Sequence, residues 1–261
     1  MSDPVELRTD VPHGARIWNY WLGGKDNYAA DRAVGDAVLA AFPEMPLAAR
    51  KSRQFLVRAV RYLAGEAGVT QFLDIGTGLP TMQNTHEVAQ AVNPAAKIVY
   101  VDNDPLVLTH ARALLTNTTA EGVTEYVDAD YHDVDAVLNG AREILDFDRP
   151  IAVLCMGIFG YVETAQEARA VIAPLMDAVP SGSHLALWDG TDTSEEIRAG
   201  VAAQAEMGSP YHLRTVGEIT GWFDGLDLVE PGVVPVTRWR PDPDAAEEDV
   251  IDAYGGVARK R

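Results

Sequence analysis

Cysteine is almost absent from this chain. Its 261 residues include one, Cys155, which excludes an internal disulfide and any multi-cysteine metal site and agrees with a reducing compartment. Long apolar runs are missing too: none approaches the roughly 20 residues that span a bilayer, and MSDPVELRTD lacks the basic-then-apolar pattern of a signal peptide. Positive charge is scarce, with 21 Lys and Arg against 39 Asp and Glu, a formal net charge of −18. Overall charge therefore gives no grip on nucleic acid or an anionic membrane. Internal repeats and low-complexity tracts are absent. The expectation is a soluble, cytoplasmic protein with no nucleic-acid or membrane partner and no metal.

What is present is a globular composition, 47% hydrophobic and 23% charged, long enough for one large domain or two small ones. The charge is uneven. Residues 1–65 hold nine basic and seven acidic side chains, so the remainder carries −20. Part of that is a run of six acids between Asp242 and Asp252 without Lys or Arg, read as a solvated loop. The asymmetry divides the chain into an N-terminal helical extension, 1–65, and a domain over 66–261.

From residue 70 onward, short β-branched runs alternate with longer helical segments. The pattern predicts strands over 70–75, 97–102, 125–128, 151–156 and 183–188, with helices over 81–92, 105–116, 133–145 and 164–178. Such alternation predicts an α/β fold with a parallel sheet covered on both faces. Asp104-Pro105 reads as a helix N-cap followed by proline at the first helical position. After residue 220, a β-rich stretch over 226–239 and a strand over 250–258 predict an antiparallel edge. Two helices are expected before the first strand, 31–42 and 47–64. The second is amphipathic, with Arg50, Arg53 and Arg61 on one face.

The chemistry concentrates at predicted strand ends. The first strand runs into Asp74-Ile75-Gly76-Thr77-Gly78, where two glycines let a backbone approach a ligand before the next helix presents free N–H groups. The second ends in Asp102-Asn103-Asp104 and the third in Asp128-Ala129-Asp130. Asp102 follows Gly78 by 24 residues, about where an acid accepts ribose hydroxyls in a nucleotide-binding βαβ unit. A dinucleotide would favour a third small residue where Thr81 stands. S-adenosylmethionine (SAM) brings no phosphate, and acids on successive strands suit its ribose, adenine amine and ammonium.

FLDIGTGLPT, VYVDNDPLVL and EYVDADYHD resemble the first three motifs of class I SAM-dependent methyltransferases. ARIWNYWLGGKDNYAADR, NTHEVAQ, VEPGVVPVTRWRPD and YGGVARK further resemble a family of S-adenosyl methyltransferases once catalogued as a domain of unknown function. The resemblance implies a seven-stranded Rossmann-like sheet and a SAM cofactor. It places Asp74, Gly76, Gly78, Asp102, Asn103, Ala129 and Asp130 around that cofactor. MPLAARKSRQFL is similar to a segment of leucine carboxyl methyltransferase-like proteins in which an arginine pairs with the SAM carboxylate, and Arg50 is the best match. The aromatic segment from Trp18 to Tyr28, hinged at Gly23-Gly24, reads as a lid whose Lys25 meets a carboxylate.

The expected activity is methyl transfer to a small-molecule acceptor. A SAM-binding sensor without transfer chemistry and a nicotinamide-dependent oxidoreductase are the alternatives. Where family members carry Leu-His and Ser-His after the fourth and fifth strands, this chain has Ile158-Phe159-Gly160-Tyr161 and Trp188-Asp189. Asp189, His132 and Tyr161 are the candidates for acid–base work. Asn84 and His86 are open between ligand contact and a plain helix role. His110 and His184 are expected to be structural, and Cys155 to be a buried small hydrophobe.

Overall fold

The computed structural model describes residues 8–80, 83–107, 109, 117–242 and 250–261. Five parallel strands form the centre: β1 (Gln71–Ile75), β2 (Lys97–Asp102), β3 (Val123–Asp128), β4 (Ala152–Met156) and β5 (His184–Gly190). The closing strand β8 (Ala253–Arg259) lies antiparallel to β5, with His184 opposite Arg259 and Gly190 opposite Ala253. Two short pieces, β6 (Asp227–Leu228) and β7 (Val234–Pro235), pair with the other side of β8. Pro231 and Pro235 cannot donate to a ladder, so this edge is broken into pieces. The order is β3-β2-β1-β4-β5-β8-β6, with β7 also on β8, so among the described residues eight strands fill seven positions of a Rossmann-like sheet.

Alternation along each strand divides two cores. Leu73, Ile75, Val153 and Cys155 face one side, where α5 (Val134–Arg142), α6 (Ala165–Ala178) and α8 (Val216–Gly221) pack. Phe72, Ile98, Leu154 and Ala186 face the other, against Phe55, Leu56, Val60 and Leu63 of α3 (Met45–Gly65) and Ala89 of α4 (Thr85–Val92). Burial on both faces explains why the central strands read as unbroken apolar runs. Because α3 supplies much of the second core, residues on either side of position 65 share one packed interior.

Among the described residues, three helices precede β1 rather than the expected two. Besides α2 (Ala29–Ala41) and α3, residues Gly14–Trp21 form α1, which buries Ile17 and Trp21 against Val34 and Val38 of α2. A further helix, α7 (Glu195–Glu206), follows β5 and packs on α2. Helix α4 starts at Thr85, not at 81, because Gln83 has a positive φ of 60° and Asn84 caps it, with Glu87 accepting the Asn84 amide at 2.6 Å. Residues 81–82, most of the predicted helix over 105–116 including His110, and 243–249 of the acidic run lie outside the described residues.

Candidate active site

The strand order reverses between β1 and β4, and an open α/β sheet forms its ligand crevice at the carboxyl ends beside such a reversal. A cavity of about 450 Å³ lies there. Loops after β1, β2, β3 and β4 line it, and α1 with the middle of α3 forms the opposite wall.

The glycine loop is held open by its own backbone. Gly76 and Gly78 have φ of 64° and 67°, the left-handed region that glycine enters without strain. A Cβ on Gly76 would stand 2.5 Å from Ile158 Cγ2, so the site also needs a bare α-carbon there. The Gly76 amide donates to the Val101 carbonyl at 2.8 Å, and the Gly78 amide donates to Asp102 Oδ2 at 2.8 Å. Asp102 Oδ1 accepts the Asp104 amide at 3.0 Å. Burial raises the Asp102 pKa, opposed by these two amides. Each carboxylate oxygen keeps a further acceptor position for hydroxyls in the cavity.

Asp74, at the end of β1, lines the cavity and accepts from Thr85 Oγ1 at 2.6 Å. Burial pushes its pKa up to about 6, against the opposing pulls of Thr85 and Arg53. Arg53 comes from α3 and donates through Nη2 to the Gln83 carbonyl at 3.2 Å and to Asn84 Oδ1 at 3.0 Å. Its Nε is buried with no hydrogen-bond partner. Burial lowers the Arg53 pKa, with Asp74 the first opposing influence, yet a guanidinium stays charged across the physiological range.

At the far end, Asp130 Oδ1 accepts the His132 amide at 2.9 Å and lies 2.7 Å from His132 Nδ1, while Oδ2 accepts from Asn103 Nδ2 at 3.2 Å. Burial opposes ionisation of Asp130, but the His132 and Asn103 contacts outweigh it and leave the pKa below the usual carboxylate value. Asp130, Ala129, Asn103 and His132 all line the cavity, whereas Asp128 does not.

The wall from α1 is tied down by charge. Buried Arg16 lies with Nε 3.6 Å from both Asp31 and Asp104 and donates to the Arg8 and Val11 carbonyls at 3.2 and 3.0 Å. His13 Nδ1 stands 3.0 Å from Asp104 Oδ2, and the His13 amide donates to Asp31 Oδ1 at 2.9 Å. Asp104 Oδ1 also accepts the Leu106 amide at 2.8 Å, the capping contact expected of it.

The geometry thus gathers Asp74, Gly76, Gly78, Asp102, Asn103, Ala129, Asp130, His132 and Tyr161 around one space. Arg50 and Lys25 are not among its lining residues; both are exposed. On α3 the cavity receives Ala49, Ser52, Arg53 and Leu56, so the azimuth of the helix turns Arg50 into solvent and Arg53 inward. Lys25 sits on a loop folded back on Asn19, which accepts the Asp26 amide at 3.0 Å and Asn27 Nδ2 at 2.9 Å, and this return path points outward.

Asp189 is likewise absent from the lining. It is fully buried, accepting the Phe159 and Gly190 amides at 2.8 Å each and the Tyr211 hydroxyl. Burial pushes its pKa to about 6, with these donors opposing. Its work is to hold the turn after β4 and the 211 segment to the end of β5. His86 is turned away from the ligand space, its amide and Nδ1 both 2.8 Å from the Tyr100 hydroxyl.

The sequence pattern of a family described as S-adenosyl methyltransferase matches residues 2–261. A crystal structure of a DUF574 family protein from Streptomyces avermitilis is 43% identical over 98% of this chain and 100% of its own, with a TM-score of 0.93. A Thermobifida fusca protein, named as a candidate methyltransferase, is 40% identical over 99% and 98%, with a TM-score of 0.89. The plantazolicin methyltransferase BpumL, solved with S-adenosylhomocysteine (SAH), shares the fold at a TM-score of 0.53 and 12% identity, covering 95% of both chains. No protein of curated function matches.

Proposed function

Because this chain belongs to the S-adenosyl methyltransferase family, whose cofactor is SAM, we propose that it uses its large cavity for methyl transfer to a small-molecule acceptor. The observation that carries this reading is Arg53, a half-buried cation beside Asp74 whose buried Nε lacks a partner. A guanidinium there suits the carboxylate of an amino-acid tail, and Asp74 suits its ammonium. Asp102 would accept the ribose hydroxyls and Asp130 the adenine amine, while the glycine loop lets the backbone come close to the ribose. Bound SAM supplies a methyl group on a positively charged sulfur, ready for in-line displacement.

The protein's own share is then alignment and exclusion of water. Residues 1–65 are proposed as the helical cover, a role supported by α1 walling the cavity, and 66–261 as the sheet domain that supplies most of the cofactor site, the two joined through α3 in one packed interior. His132 would stand at the adenine end, and Asp189 is committed to three donors. Tyr161 remains at the acceptor end, its hydroxyl kept protonated by burial, which raises its pKa. That favours an acceptor nucleophile that needs little help from a strong base. The single buried cysteine supports a cytoplasmic location.

Calorimetry with SAM, SAH and NADH tests the reading. Binding of SAM and SAH, with SAH accumulating when a cell extract supplies the acceptor, is the expected result. NADH binding without SAM binding would overturn it. SAM binding without SAH formation in any extract would instead indicate a sensor.

A further inference from the structure

A second, smaller cavity adjoins the first. It lies between α2, α3, α7 and the end of β5 and measures about 50 Å³. Trp18, Ser52, Tyr161 and Trp188 line both spaces and form the partition between them. The rest of the wall is mainly apolar, with Trp21, Val38, Phe42, Ile197, Val201 and Leu213.

Its polar inventory is short. Ser52 Oγ donates to the Ala48 carbonyl at 2.8 Å, Trp21 Nε1 to the Gly35 carbonyl at 3.4 Å, and the Tyr211 hydroxyl to Asp189. Among the described residues, Asp252 is the one charged side chain in the lining, and it accepts from Thr193 Oγ1 at 2.5 Å and Ser194 Oγ at 2.8 Å. Two groups are left over. Gln204 is 4% exposed, and its Nε2 has no hydrogen-bond partner; the buried Tyr161 hydroxyl has none either. Trp18 and Gln204 stand near that hydroxyl without completing hydrogen-bond geometry. A buried amide donor left open costs free energy unless something accepts from it.

We infer that the acceptor is a molecule without an anionic group and with a short apolar end, which enters this second cavity while an adjacent oxygen accepts from Gln204. The inference rests on the cofactor reading above, which puts the methyl donor in the larger cavity across the partition. The one charge facing the small cavity among the described residues is the Asp252 carboxylate, so an anionic end would lose its hydration and meet a like charge instead of a partner. Size sets a second limit. The volume is about a third of the ~150 Å³ apolar cavity that holds benzene, so a group of methyl to ethyl size fits and a butyl chain does not. Tyr161, on the partition, would meet the acceptor beside its reacting atom.

Aryl ketones make suitable probes, since a carbonyl only accepts. With the protein saturated in SAH, dissociation constants would be measured by ligand-observed NMR titration for acetophenone, propiophenone, valerophenone and benzoate. Propiophenone is expected to bind about fourfold more tightly than acetophenone, the gain of one buried methylene. Valerophenone gains nothing more, and benzoate binds at least tenfold more weakly than propiophenone. Gln204→Leu should weaken propiophenone about two- to tenfold, and Val201→Phe, or the milder Val201→Leu, should erase the gain from the methylene. In all three variants SAH binding is unchanged, which also reports that they fold. Benzoate binding as well as the ketones, affinity still rising to valerophenone, or an indifferent Gln204→Leu would each overturn the inference while leaving the cofactor reading intact. Failure of the parent protein to bind SAH would overturn both.

Discussion

The Gly78 amide donates to Asp102 Oδ2 at 2.8 Å, joining the loop after β1 to the carboxyl end of β2. One acid thereby shapes the glycine loop and presents its remaining acceptor positions to the cavity.

Asp102→Ala removes both functions. The expected result is a loss of about 1–3 kcal/mol in SAH affinity, or roughly 5- to 150-fold, measured by calorimetry. Unchanged affinity would show that the second strand does not hold the ribose.

Two arginines one helical turn apart give an internal comparison. Arg53→Gln should weaken SAH binding by about 10- to 150-fold, the range of a lost charge-assisted hydrogen bond. Arg50→Gln should leave it within twofold, because Arg50 is exposed and outside the cavity lining. Equal losses would contradict the orientation of α3.

Asp189 predicts a pH-dependent stability difference. Its pKa is about 6 in the folded chain against an ordinary 3.8, because burial disfavours the charge. Between these values the folded state holds a proton that the unfolded state has lost, so this residue's contribution to stability falls as pH rises from about 4 to about 6. Asp189→Asn stays neutral throughout. Its stability relative to the parent should therefore improve across that window by up to about 3 kcal/mol. Denaturant unfolding of both proteins at pH 4 and 7.5 measures the change; an offset independent of pH would refute it.

Arg16 anchors the wall over the cavity through Asp31, Asp104 and two carbonyls. Arg16→Met leaves two buried carboxylates short of their cation and should cost about 3–5 kcal/mol. Hydrogen exchange should rise most over residues 8–22. Uniform exchange changes across the sheet would instead indicate a role in the whole fold.

The strands were legible because burial on both faces writes continuous β-branched runs such as Lys97–Asp102. Helix α1 was not, since its eight residues are capped by His13, an uncommon cap, and interrupted by polar Asn19, which folds the following loop back. Helices α7 and α8 carry start signals in the sequence: Ser194 accepts the Ile197 amide, and Thr215 with Glu218 forms a capping box. Gln204 and Tyr211 had no signal at all, because each matters through neighbours distant in sequence.

The chain by itself determined which residues follow the parallel strands, and a parallel sheet delivers those residues to one edge whatever packs around it. Asp74, Asp102 and Asp130 reach the cavity for that reason. Only the tertiary structure decided which arginine of α3 faces inward, that Asp189 is spent on the scaffold, and that a second cavity opens behind Trp18 and Tyr161. Those outcomes depend on the azimuth of a helix and the path of loops, which are set by contacts between segments far apart in the chain.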